Sequence, residues 1–156
     1  MAAQQAARIA ERNVVVIESK TVPQGITAML NFDPEGDEET NCRNMTEALA
    51  TVSTMLITYA ARNSDFDGRE IREGDYLALY NGALLDTDPD IHVLIRQLAE
   101  KTKEEGKEFI SIFYGSEIVE EAAQEAAQVF EEACSGCEVT VINGGQPVYY
   151  YMISAE

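Results

Sequence analysis

The chain closes on Glu138-Val-Thr-Val-Ile-Asn-Gly-Gly-Gln-Pro-Val-Tyr-Tyr-Tyr-Met-Ile-Ser-Ala-Glu156, the stretch that most limits what it can fold into. Two runs rich in β-branched and aromatic residues flank a Gly-Gly-Gln-Pro turn. That is the composition of paired strands joined by a loop needing positive φ at one or both glycines. Tyr149 to Ile153 is apolar or aromatic throughout, and such a segment is stable in water only inside a sheet or against a partner. The expectation is a hairpin in which Val139 to Ile142 pairs with Val148 to Ile153 and Gly144 and Gly145 make the turn. Tyr149 and Tyr151 then share one face and Tyr150 takes the other.

Helical and strand patterns alternate upstream. Met1 to Arg12, with Ala3, Ala6, Ala7 and Ala10 at helical spacing, reads as a helix with a small-residue face. Asn13-Val-Val-Val-Ile-Glu18 is the kind of apolar run that forms a strand buried on both faces. A helix leading into such a strand implies a further strand before it, as in a piece of a longer polypeptide. Thr21 and Gln24, with Pro23 between them, fit a capping box opening the next helix. Gly25 in that first turn costs about 1 kcal/mol relative to Ala. It marks either a tight strand-to-helix contact or a backbone approached by a ligand or partner.

The acidic loop Asp33 to Glu39 runs into a helix whose apolar face is Met45, Ala48, Leu49 and Val52. Thr54 to Ala60 reads as a strand and Asn63 to Gly74 as a loop with short extended pieces. Asn81-Gly82 between apolar runs is a strong hairpin signal. Asp88 and Pro89 fit the N-cap and first position of a helix with Ile91, Leu94, Ile95 and Leu98 as its buried stripe. Gly106 stops it, Lys107 to Tyr114 is a strand, and Ser116 is placed to cap an acidic helix from Glu117 to about Ala133.

These elements predict an α/β fold: a mixed sheet of alternating strands and helices with two β-hairpins. A chain of 156 residues suits a single domain burying roughly 70% of its unfolded surface. Two small α/β lobes, residues 1–62 with part of the C-terminus and residues 63–156, are the alternative division.

Eleven Lys and Arg against 28 Asp and Glu give a net charge of −17. Nucleic acid and anionic membrane surfaces need clustered cations, so both are disfavoured as partners. The acidity serves either solubility or a basic protein partner. No run approaches the ~20 apolar residues of a membrane span, and the N-terminus lacks the pattern of a signal peptide. Three cysteines imply no disulfide framework, and the expected location is the cytoplasm.

The motifs that could carry chemistry are weak. Cys134-Ser-Gly-Cys137 follows a helix C-terminus and Glu131-Glu132, which disfavour a thiolate, and a zinc site lacks a second ligand pair because Cys42 and His92 are isolated. Asp86-x-Asp88-x-Asp90 begins like a calcium loop but has Ile91 at position six and Gln97 at position twelve, so it reads as helix capping. Asp65-Phe-Asp67-Gly68 reads as a turn. His92, the only histidine, has no nucleophile placed with it. No glycine-rich phosphate cradle is present. No residue is assigned as catalytic, cofactor-binding or metal-binding.

Several segments together resemble the C-terminal domain of the dihydroxyacetone-kinase-like bacterial family that includes the large subunit of fatty acid kinase. They are Met1-Ala-Ala-Gln-Gln-Ala-Ala, Val14-Val-Val-Ile-Glu-Ser-Lys-Thr-Val-Pro-Gln-Gly-Ile-Thr-Ala, Met45-Thr-Glu-Ala-Leu, Ile57-Thr-Tyr-Ala-Ala-Arg, Ile71-Arg-Glu-Gly-Asp and Gly144-Gly-Gln-Pro-Val-Tyr-Tyr-Tyr. The resemblance implies a longer parent whose N-terminal domain binds ATP and magnesium. It also implies a phosphoryl acceptor that is a fatty acid carboxylate carried by a separate DegV-type acyl-binding protein.

On that resemblance this chain is the C-terminal, non-catalytic domain that docks the carrier, with no cofactor of its own and with self-association as a homodimer a further option. The candidate partner- or ligand-binding residues are Pro23, Gln24, Gly25, Gly144, Gly145, Gln146, Pro147, Tyr149 and Tyr150. Two alternatives stand beside docking: a site for dihydroxyacetone-like or phosphorylated small molecules, and a purely architectural role.

Overall fold

The computed structural model describes residues 2–66 and 68–156. Met1, the expected start of the first helix, and Asp67, in the expected Asp65–Gly68 turn, lie outside the described residues. The chain divides into two compact units, Met1–Val52 and Ser53–Glu156.

The first unit carries α1 (Ala2–Ile9), α2 (Val22–Leu30) and α3 (Glu38–Leu49). The capping box at α2 forms: the Thr21 side chain accepts from the Gln24 amide at 3.3 Å, and Gln24 Oε1 accepts from the Lys20 amide at 2.9 Å. At α3 the Asp37 carboxylate caps the helix by accepting from the Thr40 amide at 2.7 Å. Hydrogen bonding to Thr40 holds this carboxyl below its usual range. Buried Asn41 pins the preceding acidic loop, donating to the carbonyls of Asp33 (2.8 Å) and Gly36 (3.2 Å) and accepting from the Asp33 amide (2.8 Å).

The strand expected over residues 13–18 is absent: these residues belong to no sheet. A strand requires a neighbour for its backbone N–H and C=O groups. Among the described residues none is supplied, and the amides of residues 14–17 donate to no backbone carbonyl.

The second unit carries β1 (Ser53–Tyr59), β2 (Ser64–Phe66), β3 (Arg69–Ile71), β4 (Tyr76–Tyr80), β5 (Ala83–Asp88), α4 (Ile91–Glu104), β6 (Phe109–Tyr114), α5 (Glu120–Ala133), β7 (Glu138–Asn143) and β8 (Tyr151–Ala155). Six strands form one mixed sheet in the order β5-β4-β1-β8-β6-β7, and β2 and β3 make a separate pair. Among the described residues the antiparallel pairs of strands consecutive in the chain are β4–β5 and β2–β3. Asn81 and Gly82 both have positive φ, 49° and 84°, as a tight hairpin turn demands. Asn81 also exchanges bonds of 2.8 Å with the backbone of Thr54, tying the turn to β1.

The closing stretch is not a hairpin. β7 lies parallel to β6, whereas β8 runs antiparallel to both β6 and β1, so β6 stands between the two expected partners. Residues 144–150 are long enough to step over the end of β6. The resulting central position of β8 satisfies its backbone on both sides, with Ile153 opposite Met55 and Ile112. Tyr151, Ile153 and Ala155 are accordingly buried. Tyr149 and Tyr150 precede the strand, so the expected alternation of the three tyrosines does not extend to them.

Alternation then builds the core. Met55 and Ile57 of β1, Ala78 of β4, Ile110 and Ile112 of β6 and Ile153 of β8 meet Leu94, Ile95 and Leu98 of α4 and Phe130 of α5. Two helix starts differ from expectation. Asp90, not Asp88, caps α4 by accepting from the His92 amide at 2.9 Å, while Asp88 accepts from the Asp90 amide at 2.8 Å. α5 starts at Glu120, later than expected, with Val119 at the N-cap, whose apolar side chain offers no acceptor, while the Ser116 amide donates to the Gln146 carbonyl at 3.1 Å. Among the described residues no helix is long and apolar enough to cross a membrane.

Candidate functional site

β1, β6 and β7 point the same way, so the segments that follow them gather at one end of the sheet. The carboxyl ends of strands in open α/β sheets are where binding sites most often form. The Gly-Gly-Gln-Pro loop lies there. Gly144 and Gly145 both donate to the Tyr114 carbonyl at 3.1 Å, closing the end of β6. Gln146 Nε2 donates to the Phe113 carbonyl at 3.0 Å and reaches the Tyr149 carbonyl at 3.4 Å. From the facing segment, Gly115 donates to the Tyr150 carbonyl at 2.9 Å.

The crossing carries backbone strain. The Tyr149 amide bonds back to the Pro147 carbonyl at 2.8 Å, making a γ-turn centred on Val148, whose φ is +73°. A β-branched residue in that region is an outlier, and such turns persist only where their surroundings hold them. Thr58 Oγ1 supplies part of that hold by donating to the Val148 carbonyl at 2.9 Å. The Val148 side chain is 55% exposed, so the strain does not serve core packing.

Beside the loop stands a cluster of tyrosines. Tyr59 and Tyr76 are opposite one another in the β1–β4 ladder. Tyr150 meets both rings edge-on, with centroids 6.2 Å from Tyr59 and 5.3 Å from Tyr76. Burial, and next the Glu117 carboxylate, push the Tyr150 hydroxyl up. Tyr59 remains 42% exposed. Tyrosines that are rigidly placed yet partly open are the residues on which protein interfaces concentrate their affinity.

Of the candidates read from the sequence, Gly144, Gly145, Gln146, Pro147, Tyr149 and Tyr150 come together in this loop. Pro23, Gln24 and Gly25 form the first turn of α2 in the other unit, where Pro23 is buried and Gln24 is occupied with capping. Tyr59, Tyr76, Gly115 and Val148 were not legible as site residues. Their proximity depends on strand order, and only the Gly115-Ser116 pair ending an apolar strand carried a local signal.

The remaining motifs do not build a site. Cys134 and Cys137 are free thiols bonded to the carbonyls of Ala99 (3.6 Å) and Phe130 (3.8 Å), and burial pushes both up. His92 is exposed on the first turn of α4. Asp86 is engaged by Gln97 at 2.8 Å and by Arg69 at 3.3 Å. No group of three or more His, Cys, Asp or Glu that could hold a metal ion occurs among the described residues.

The whole chain, residues 1–156, matches the family of FakA-like C-terminal domains of fatty acid kinase. It is 35% identical over 156 residues to Protein YloV of Bacillus subtilis (strain 168) and 33% identical to a protein of Staphylococcus epidermidis (strain ATCC 12228). All of this chain is covered in both matches, but it spans only 28% of the length of each relative.

Among solved structures it is similar in fold to the DegV family protein Cg2579 of Corynebacterium glutamicum, with a TM-score of 0.73 at 14% identity over 99% of this chain and 68% of that one. It is also similar to the fatty acid binding DegV family protein SAG1342 of Streptococcus agalactiae, with a TM-score of 0.55 at 11% identity over 85% of this chain and 54% of that one. The fold is thus DegV-like, and by sequence the chain belongs to the FakA-like C-terminal family of fatty acid kinase.

Proposed function

We propose that this chain is the non-catalytic docking domain of a fatty-acid-kinase-like protein. It receives a DegV-type acyl-binding partner so that the parent's N-terminal domain, holding ATP and magnesium, phosphorylates the fatty acid the partner presents. The observation that carries this reading is the loop end of the sheet: a strained, hydrogen-bonded Gly144–Tyr150 crossing beside partly open Tyr59 and Tyr150. A rigid aromatic platform loses little conformational entropy on binding, which suits recognition of a protein surface. The net charge of −17 favours a partner whose contact face is basic, because complementary fields speed encounter.

Calorimetric titration of the parent protein with its cognate DegV-type protein tests the reading. Saturable binding that weakens when Tyr59 is replaced supports it. Absence of heat at high micromolar concentration, or binding indifferent to Tyr59, removes it. A dihydroxyacetone-like substrate held through histidine would instead need His92, and His92→Ala is expected to leave function unchanged.

A further inference from the structure

The unit Met1–Val52 leaves many large apolar side chains in water. Val22, Ile26, Met29, Leu30 and Phe32 are 43 to 80% exposed, Ile9 is 85% exposed, and α1 buries nothing. Val15 and Ile17 line a cavity of about 460 Å³ together with Met29, Phe32, Cys42 and Met45. Val15 and Ile17, two residues apart as on one face of a strand, thus share a cavity with side chains of α2 and α3. An apolar run of this kind is the sequence of a strand covered on both faces. Its amides nevertheless find no backbone partner among the described residues.

Gly25 adds an independent observation. A Cβ there would meet only Ser19 Oγ, at an ordinary 3.6 Å, so the helix carries the cost of glycine without a close contact among the described residues to require it. Gly25 lies four residues before Met29 on α2 and so shares its side of the helix, and Met29 and Phe32, the latter just past the helix end, line the cavity.

We propose that residues 13–18 are a strand of a sheet completed by a second strand from the parent polypeptide outside these 156 residues, laid beside Val14–Ile17 and covering the Gly25–Met29 side of α2 and Phe32 just beyond it. The curated relatives extend far beyond the stretch matched here, which is 28% of their length. A strand tethered in the same molecule pairs at high effective concentration. The paired strand satisfies the free amides, and its apolar side chains fill the cavity.

The test uses the full-length parent protein with a photo-crosslinking amino acid in place of Val14, followed by peptide mapping, and amide exchange at residues 14–17. The expected result is an intramolecular cross-link to a peptide outside the 156 residues, with exchange roughly 100-fold slower than in a free peptide of that sequence. Val15→Lys, which puts a charge into the cavity, is expected to abolish that protection while β6 and β8 stay protected. Exchange at free-peptide rates, a cross-link confined to the 156 residues, or a cross-link between two copies would each overturn the proposal. None of these readouts involves the acyl-binding partner.

Discussion

Gly115 and Tyr150 are locked backbone to backbone, the Gly115 amide donating to the Tyr150 carbonyl at 2.9 Å. The approach admits no side chain. A Cβ on Gly115 would collide with the Tyr149 carbonyl oxygen and lie 2.8 Å from that of Gln146. Gly115→Ala should therefore push the crossing loop off the end of β6. The expected loss is about 1–3 kcal/mol, the usual scale of overpacking, read from urea unfolding. An unchanged midpoint would show that the loop yields freely.

Replacing Tyr59 with Ala removes an exposed ring that meets Tyr150 only at its edge. We expect affinity for the cognate DegV-type protein to fall at least about tenfold, or roughly 1.4 kcal/mol. The thermal midpoint should move little, since Tyr59 lies outside the main core. Loss of folding alongside loss of binding would make the result architectural.

Strand order gives a prediction that a hairpin would not. Ile153, at 0% exposure on central β8, should cost about 2–5 kcal/mol when cut to Ala. Ile142 on edge strand β7 is 36% exposed, and the same change there should cost less than about 1 kcal/mol. Chemical denaturation of the two variants checks the contrast, and equal losses would contradict the order.

Burial pushes the Tyr151 and Tyr80 hydroxyls up to about 12, against about 10 in an unfolded chain. The folded state keeps these protons longer, so the stability tied to the neutral phenols is complete below about pH 10. It is lost as pH rises through about 12. Unfolding midpoints measured from pH 8 to 12 should fall steeply in that window and less so in Tyr151→Phe. That variant loses only the 3.3 Å bond to the Ala122 carbonyl.

Cys134 and Cys137 are predicted to be sluggish thiols. Burial raises both, and the neighbouring Cys137 raises Cys134 further, so little thiolate is available near neutral pH. Iodoacetamide at pH 7.5 should label them roughly tenfold or more slowly than a cysteine peptide. Rapid labelling, followed by mass spectrometry, would contradict this and show a reactive thiolate at the motif.

Local signals wrote most of the elements into the sequence. Thr21 with Gln24, Asn81-Gly82, Gly106 and the alternating Phe109–Tyr114 run each act through bonds or steric limits a few residues long. All appear as helix start, hairpin, helix stop and strand. The apolar faces of α4 and β6 named the core for the same reason, since periodicity alone decides which side chains share a face. Strand neighbours are different, because a strand's backbone groups can be satisfied by any other strand. Only the whole arrangement placed β6 between β7 and β8, strained Val148 over its end, and brought Tyr59 and Tyr76 to Tyr150. The same physics governs residues 13–18: their sequence says strand, and what was decisive was whether a neighbour stood within hydrogen-bonding reach.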